Sequence, residues 1–527
     1  MFAPDGIPNR PSKRLYRASG GRFPVGIAEN VRRSVGNCSA SSSGVGGTER
    51  KGRSPLGTFA KSAASGRNGG KKKGFCKRAI IRTKKKERTA EDERVGRLRR
   101  FALQGVSRSI LRGVKTDKGK PMFRVALCLR AVVPETGKGK GAVKRVGAQY
   151  VPSTKSSHYT NLQQCGSVWT CPCCSAKICE KRRGELARLV EKHIKGHGSV
   201  WMVTHTTAHT RFDDLMTLLA SFSEAQRKMK AHRQYVELRE ELGIVGSVKA
   251  LEVTWSPENG WHVHSHTLVF SSQKDMSVEA YEQVARPLWK QYALKQGLAM
   301  NEHGFKIDRT FGAVQDYILK FGHDPATESV WGVESEMVKS HAKQGRVTEH
   351  YTPFQLLAAI HDQGREDLKP IFQEYAMCFK GKRQLEYSRG LKALYEDVDE
   401  KTDEELVLES QEKEAITFVE LEEEKWKAVL ANDIRGELLE AVRTGCPGAV
   451  MKFLADFDIE AIPAPLAGYR VVTPDGIGVI SLVTKCPILG RWRCSVMLES
   501  GDGGSWRAFD LTQIVVLGKE ERTNGKE

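Results

Sequence analysis

Residues 248–270 constrain the fold of this chain more than any other stretch. Two runs of β-type residues, 248–255 and 261–270, flank Ser256-Pro257-Glu258-Asn259-Gly260, which has the composition of a tight turn. The two runs are therefore expected to pair as an antiparallel hairpin. A strand has a side-chain period of two, so His262, His264 and His266 fall on one face of the second run. Three core histidines in a row would each need their own hydrogen-bond partners, whereas three neutral imidazoles side by side make a metal site. Glu252 lies on the preceding strand, across the turn, where a carboxylate completes the shell. Two imidazoles, one carboxylate and open water positions suit Mg²⁺ or Mn²⁺ bound to a phosphate substrate.

A second constraint lies upstream. Cys165-Gly-Ser-Val-Trp-Thr-Cys171-Pro172-Cys173-Cys174, together with Cys179, puts five cysteines within fifteen residues. The two-residue gap between Cys171 and Cys174 lets one turn present two thiolates to a tetrahedral Zn²⁺. Cys165, Cys171 and Cys174 are taken as ligands, with Cys179 preferred as the fourth and Cys173 and His158 as alternatives. No acid stands beside a labile ligand position, so a structural zinc element is expected over 158–180.

Charge divides the rest of the 527 residues. Residues 1–100 carry 26 basic and 7 acidic side chains, nearly all of the chain's net charge of +21. Residues 1–95 are rich in Gly, Ser, Lys and Arg and read as a disordered basic arm. The runs Lys71-Lys72-Lys73 and Lys84-Lys85-Lys86 would clamp nucleic-acid backbone without reading bases. A mixed α+β domain is expected over 120–395, with a strand at 200–204 and apolar residues at helical spacing through Leu215, Leu218, Leu219 and Phe222. Helices are also expected from 278 to 296 and from Gly312. The acidic run that begins at 396 reads as a helical linker over 396–460, and five short β-branched runs over 466–518 suit a small C-terminal β-barrel. No apolar run is long enough for a membrane span, and Met1–Arg10 lacks the pattern of a secretory signal. A cytoplasmic protein whose cysteines are thiols or metal ligands is the expectation.

Within Gly312-Ala313-Val-Gln-Asp316-Tyr317-Ile-Leu-Lys320, Tyr317 and Lys320 are three residues apart and share a helix face. That pair gains meaning only beside the histidine strand. Taken in order, four blocks resemble the plasmid rolling-circle replication initiators of the HUH endonuclease superfamily. They are the cysteine element, Ala250–Thr254 with Trp261–Phe270, the block ending Asp316-Tyr317-Ile-Leu-Lys320, and Lys380-Gly-Lys-Arg-Gln-Leu-Glu-Tyr-Ser388-Arg-Gly390-Leu-Lys392. The resemblance covers residues 160–395. It implies an antiparallel HUH nuclease core with flanking helices and a zinc-binding insert.

The resemblance further implies that Tyr317 is the nucleophile, that Lys320 orients the phosphate or helps ionise Tyr317, and that the metal is held by His264, His266 and Glu252, with His262 the lesser histidine. Alignment on Thr267-Leu-Val-Phe270 favours the His264/His266 pair over His262/His264. Its implied partners are single-stranded or hairpin origin DNA and a host helicase and polymerase. Many members carry a second Tyr or a Glu one turn before the nucleophile, where this chain has Ala313; either a second protomer in a homodimer or Asp316 would then act in termination. Rival readings are a relaxase or single-strand transposase of the same chemistry, and a zinc-stabilised DNA-binding regulator without activity.

Overall fold

The computed structural model describes residues 89–133, 145–308, 350–394, 402–408, 414–499 and 505–519. Most of the basic arm, with all six of its named lysines, lies outside the described residues, as do Ala313, Asp316, Tyr317 and Lys320. The described residues form helices and three antiparallel sheets.

The sheet that carries the histidines consists of β3 (Ser199–Thr206), β4 (Ile244–Ser256), β5 (Gly260–Ser271), β6 (Phe305–Asp308) and β7 (Leu385–Tyr387), in the order β6-β3-β5-β4-β7. The expected hairpin is β4–β5, paired from Ser256↔Gly260 through Glu252↔His264 to Ala250↔His266. Its turn is held by the Asn259 amide, which donates to Ser256 Oγ at 3.1 Å, and by Gly260 at φ +70°. Gly260 also lies against the chain at Arg211, whose Cα would stand 2.7 Å from an added Cβ. Glycine therefore satisfies both the backbone conformation and the close approach.

The two faces of this sheet are covered differently. The helix Pro172–Lys195 lays Leu186, Leu189 and Val190 against Val200, Met202, Val248, Leu268 and Phe270, covering one end of the histidine face. The opposite face joins the main core, where Val203, Val253 and Val263 meet Phe222, Tyr281 and Trp289. The four residues Leu215, Leu218, Leu219 and Phe222 are buried there, on the helix Leu215–Lys230, and the helix Val278–Lys295 follows as the periodicity predicts.

Three expectations differ from the structure. The helix Ala90–Leu111 begins inside the expected arm, because Thr89 and Asp92 form a reciprocal capping box, and its Leu103 and Leu111 are fully buried. Within the expected acidic linker, Ile416–Glu422 is a strand, β8, whose buried Ile416, Phe418, Val419 and Leu421 are masked in composition by surrounding carboxylates. It pairs with β1 (Arg145–Val151) and β9 (Ile462–Pro463), and β2 (Ser156–Tyr159) completes the order β2-β1-β8-β9. The five C-terminal strands are present as β10 (Tyr469–Thr473), β11 (Gly476–Lys485), β12 (Trp492–Leu498), β13 (Trp506–Asp510) and β14 (Val515–Lys519). Their order, β13-β12-β11-β10-β14, leaves β13 and β14 as separate edges, so the sheet is open among the described residues rather than the expected barrel. The 3₁₀ turn Leu511–Gln513 carries the chain from one edge to the other without pairing them.

The turn yields a comparative prediction. Gly297 also has positive φ, +75°, but nothing lies within 4 Å of an added Cβ. Gly297→Ala should cost about 1 kcal/mol from backbone strain alone. Gly260→Ala should cost at least about 1 kcal/mol more, because strain and collision add. Urea denaturation midpoints measure the difference, and equal losses would contradict the role assigned to this turn.

Candidate functional site

On β5, His262, His264 and His266 point to the face that the helix Pro172–Lys195 leaves open, with successive ring centroids 5.0 and 5.1 Å apart. The hairpin register brings Glu252 directly opposite His264, and its Oε2 lies 3.0 Å from His264 Nε2 and 3.6 Å from His266 Nε2. Strand β3 supplies the supporting row: Thr204 pairs with His266 and Thr206 with His264. Thr204 Oγ1 meets His266 Nδ1 at 2.9 Å, which fixes that ring so its Nε2 faces Glu252. Thr204 and Thr206 repeat the period-two signature of the histidines, and that alternation is the sequence signal that could have found Thr206.

The ligand atoms of Glu252, His264 and His266 lie within 4.8 Å of one another. Burial raises the Glu252 pKa, but hydrogen bonds from His264 and His266 outweigh it and hold the carboxyl well below the usual range. Glu252 is thus ionised at neutral pH, and 42% of its side chain remains exposed, which leaves the group open on one side. Two imidazole nitrogens and one carboxylate fit a divalent cation that accepts nitrogen and oxygen and retains water positions. His262 is turned to other partners: its Nε2 meets Thr206 Oγ1, and its ring stacks on His209 at 4.7 Å. Burial, helped by neighbouring histidines, pushes His262 down to about 4, so it is neutral at pH 7.

The cysteine group is assembled from two distant segments. Sγ atoms of Cys128, Cys165, Cys171 and Cys174 lie within 4.8 Å of one another and all four residues are buried. The separations are 3.5 Å for Cys128–Cys174, 3.6 Å for Cys165–Cys174 and 3.8 Å for Cys171–Cys128. A zinc tetrahedron with Zn–S of about 2.3 Å has edges of about 3.8 Å, so the sulfurs stand at zinc spacing. Cys128 occupies the place expected for Cys179. The Cys179 sulfur is instead engaged by Ser175 Oγ at 3.7 Å and by Gln384 Nε2 at 3.3 Å. Cys173 Sγ donates to the Arg100 carbonyl, and His158 lies on β2 outside the group. Cys128 precedes Cys165 by too many residues for local spacing to reveal it.

The surroundings fit a charged cluster. Arg435 is 1% exposed, and its Nη1 donates to Gln104 Oε1 at 2.9 Å and to the Leu129 carbonyl at 3.2 Å. Gln104 Nε2 in turn donates to Cys171 Sγ at 3.4 Å. Arg435 Nε has no hydrogen-bond partner, and its acidic neighbour Asp433, 3.6 Å away, is 65% exposed. A buried guanidinium so weakly paired is costly unless a buried anion balances it. Four thiolates around Zn²⁺ would carry a net charge of −2 and would supply that balance. Cys171 also caps the helix Pro172–Lys195, where the N-terminal dipole favours a thiolate. This helix ties the cysteine group at its start to the histidine sheet at its end.

A family model described as Replication protein matches residues 158–294, from the cysteine element through the histidine hairpin to the helix Val278–Lys295. The protein named Protein rep of Streptomyces lividans is 24% identical over 299 residues, covering 44% of this chain and 64% of that protein. The Neomycin resistance protein of Streptomyces cyanogenus is 27% identical over 132 residues, covering 20% of this chain and 30% of that protein. Each match spans less than two thirds of the relative's length. No solved structure matches the chain. No helix among the described residues is long and apolar enough to cross a membrane. Three of the four grouped cysteines and the whole Glu252/His264/His266 group lie inside the stretch that is similar to the replication-protein family, in keeping with the resemblance to plasmid replication initiators.

Proposed function

We propose that this chain initiates rolling-circle replication by nicking and rejoining one strand of origin DNA through a tyrosyl-phosphate link. The observation that carries the reading is the half-open Glu252/His264/His266 group on a rigid antiparallel sheet. A divalent cation held there would polarise the scissile phosphate and stabilise charge developing on its oxygens. His266 is oriented for this by Thr204, and ionised Glu252 faces both imidazoles. The chain leaves the sheet at Asp308, paired with Met202, and rejoins it at Tyr351, whose backbone pairs with Trp255 in the histidine hairpin. Tyr317 and Lys320 belong to the intervening segment, so both ends of the chain that carries them are tied to this sheet.

In the reaction, the Tyr317 hydroxyl loses its proton and its oxygen bonds to phosphorus. The bond from phosphorus to the 3′-oxygen breaks, and that oxygen takes up a proton to leave a free 3′-OH and a 5′-phosphotyrosyl strand. Lys320 would orient the phosphate. A phenol is a good enough leaving group for the reverse step to rejoin strands without an added energy source. Origin DNA must present the phosphate in an unpaired strand, and a polymerase would extend the 3′-OH. Zinc on Cys128, Cys165, Cys171 and Cys174 would be structural, since all four positions are taken by buried sulfurs.

Two outcomes are expected. With single-stranded origin DNA and Mn²⁺ or Mg²⁺, the wild-type protein forms a denaturation-resistant protein–DNA adduct. Tyr317→Phe abolishes that adduct while DNA affinity stays within about threefold, since only the reacting hydroxyl is removed. An adduct that persists in the variant places the nucleophile elsewhere. For the cysteine group, Cys128→Ser should lose bound zinc and melt at lower temperature, whereas Cys179→Ser should keep one equivalent by elemental analysis. The reverse pattern would refute the quartet.

A further inference from the structure

Beside the cysteine group lies a concavity of about 700 Å³. One wall is the segment 165–170 that follows the first cysteine, and the other is the segment 379–393, which includes β7. Trp169 stands at the junction: its indole N–H donates to the Lys382 carbonyl at 2.7 Å, and its ring packs on Phe379 with centroids 4.7 Å apart. The lining is strongly basic. Its carboxylate Asp403 is engaged by Arg182 at 3.2 Å, and Glu185 beneath takes both Arg182 and Lys392. Arg124, Lys380, Lys382, Arg383 and Arg389 also line it, and none has an ion-pair partner among the described residues. Five like charges converging on a cavity with a partly exposed indole are unfavourable without an anion to meet them.

The cavity also has a defined relation to the histidine group. Leu385 in its wall pairs with Ala250 on β4, and Ala250 pairs with His266 on β5. Paired residues share a face, so the cavity wall and His266 lie in one row on one face, two strand spacings or about 10 Å apart. A volume of this order holds a small organic ligand and excludes a DNA duplex. Stacking on an aromatic side chain with cations along the backbone is how unpaired nucleic acid is held.

We infer that this cavity binds an unpaired nucleotide of single-stranded DNA, its base against Trp169 and its flanking phosphates on Arg124, Lys380, Arg383 and Arg389, its wall in the same cross-strand row as His266. The inference rests on the nicking reading above and names where the strand beside the scissile phosphate is held. It also gives the 380–392 block a role: a basic clamp on the strand.

The test uses the full chain in EDTA, so that binding is read without cleavage. Fluorescence anisotropy of a labelled single-stranded origin oligonucleotide is followed as salt is raised. Arg383→Ala/Arg389→Ala should weaken binding at least fivefold and make the slope of log affinity against log salt shallower by about 1.4, from two phosphate contacts at about 0.7 each. Arg383→Lys/Arg389→Lys should restore affinity to within twofold. Affinity and slope unchanged in the Ala/Ala variant would overturn the site. As a second readout, an oligonucleotide carrying 5-iododeoxyuridine should photo-cross-link within 165–170 or 379–393, and cross-links confined to other segments would overturn it. Adduct formation is scored separately. Wild type that binds and cross-links here but never forms an adduct removes the nicking reading and leaves this site. Wild type that forms the adduct while the Ala/Ala variant binds normally does the reverse.

Discussion

The pairing of Glu252 with His264 is the interaction on which the functional face depends. It is a matter of register: a slip of one residue between β4 and β5 would send the three histidines to the buried face and leave Glu252 facing Val263 or Ser265. Register is set by the three-residue turn Pro257–Asn259, where Ser256 fixes the amide of Asn259 and glycine at 260 satisfies both the backbone angle and the contact with Arg211. The supporting threonines come from β3, which pairs with the other edge of β5. The ligand group is thus held by three adjacent strands, and no loop has to be ordered to form it. Such pre-positioning is what a phosphoryl-transfer site requires, because its chemistry is chiefly orientation and charge stabilisation.

A second dependence is electrostatic. The buried Arg435 reaches Cys171 through Gln104, so one hydrogen-bonded chain links three remote parts of the sequence: the helix Ala90–Leu111, the cysteine element and the helix Arg435–Arg443. Hydrogen bonds from buried charged groups are stronger than neutral ones, and leaving any member unpaired is correspondingly costly. A cation that has little countercharge of its own would gain it with the four sulfurs ionised around a metal. A metal held by the four sulfurs would therefore couple to docking of these helices, and the helix Pro172–Lys195 joins the cysteine group to the histidine sheet.

The hairpin and its histidines were legible in the sequence because turn chemistry and a period of two are local properties. The same holds for the five C-terminal strands and for the buried face of the helix Leu215–Lys230. What depends on distant segments was not legible. Cys128 joins the other three cysteines only through folding, and the five-cysteine run drew attention to Cys179, whose sulfur meets Gln384 instead. The strand at Ile416–Glu422 was hidden because charge composition outweighed a short alternation, although Ile416, Phe418 and Leu421 are buried. Whether five strands close or stay open is decided by edge pairing, which spacing does not encode. The start of the helix at Ala90 had a signal, Thr89 with Asp92 three residues on, within a stretch dominated by positive charge.

Whether Glu252, His264 and His266 hold a divalent cation can be read by direct titration, without DNA or turnover. With zinc-replete full-length protein, the electron paramagnetic resonance signal of free Mn²⁺ reports how much ion is bound. Wild type should bind one equivalent, retained in His262→Ala and lost in His264→Ala/His266→Ala while bound zinc is unchanged. Equal Mn²⁺ binding by wild type and the double variant, or no binding by wild type, would contradict such a site.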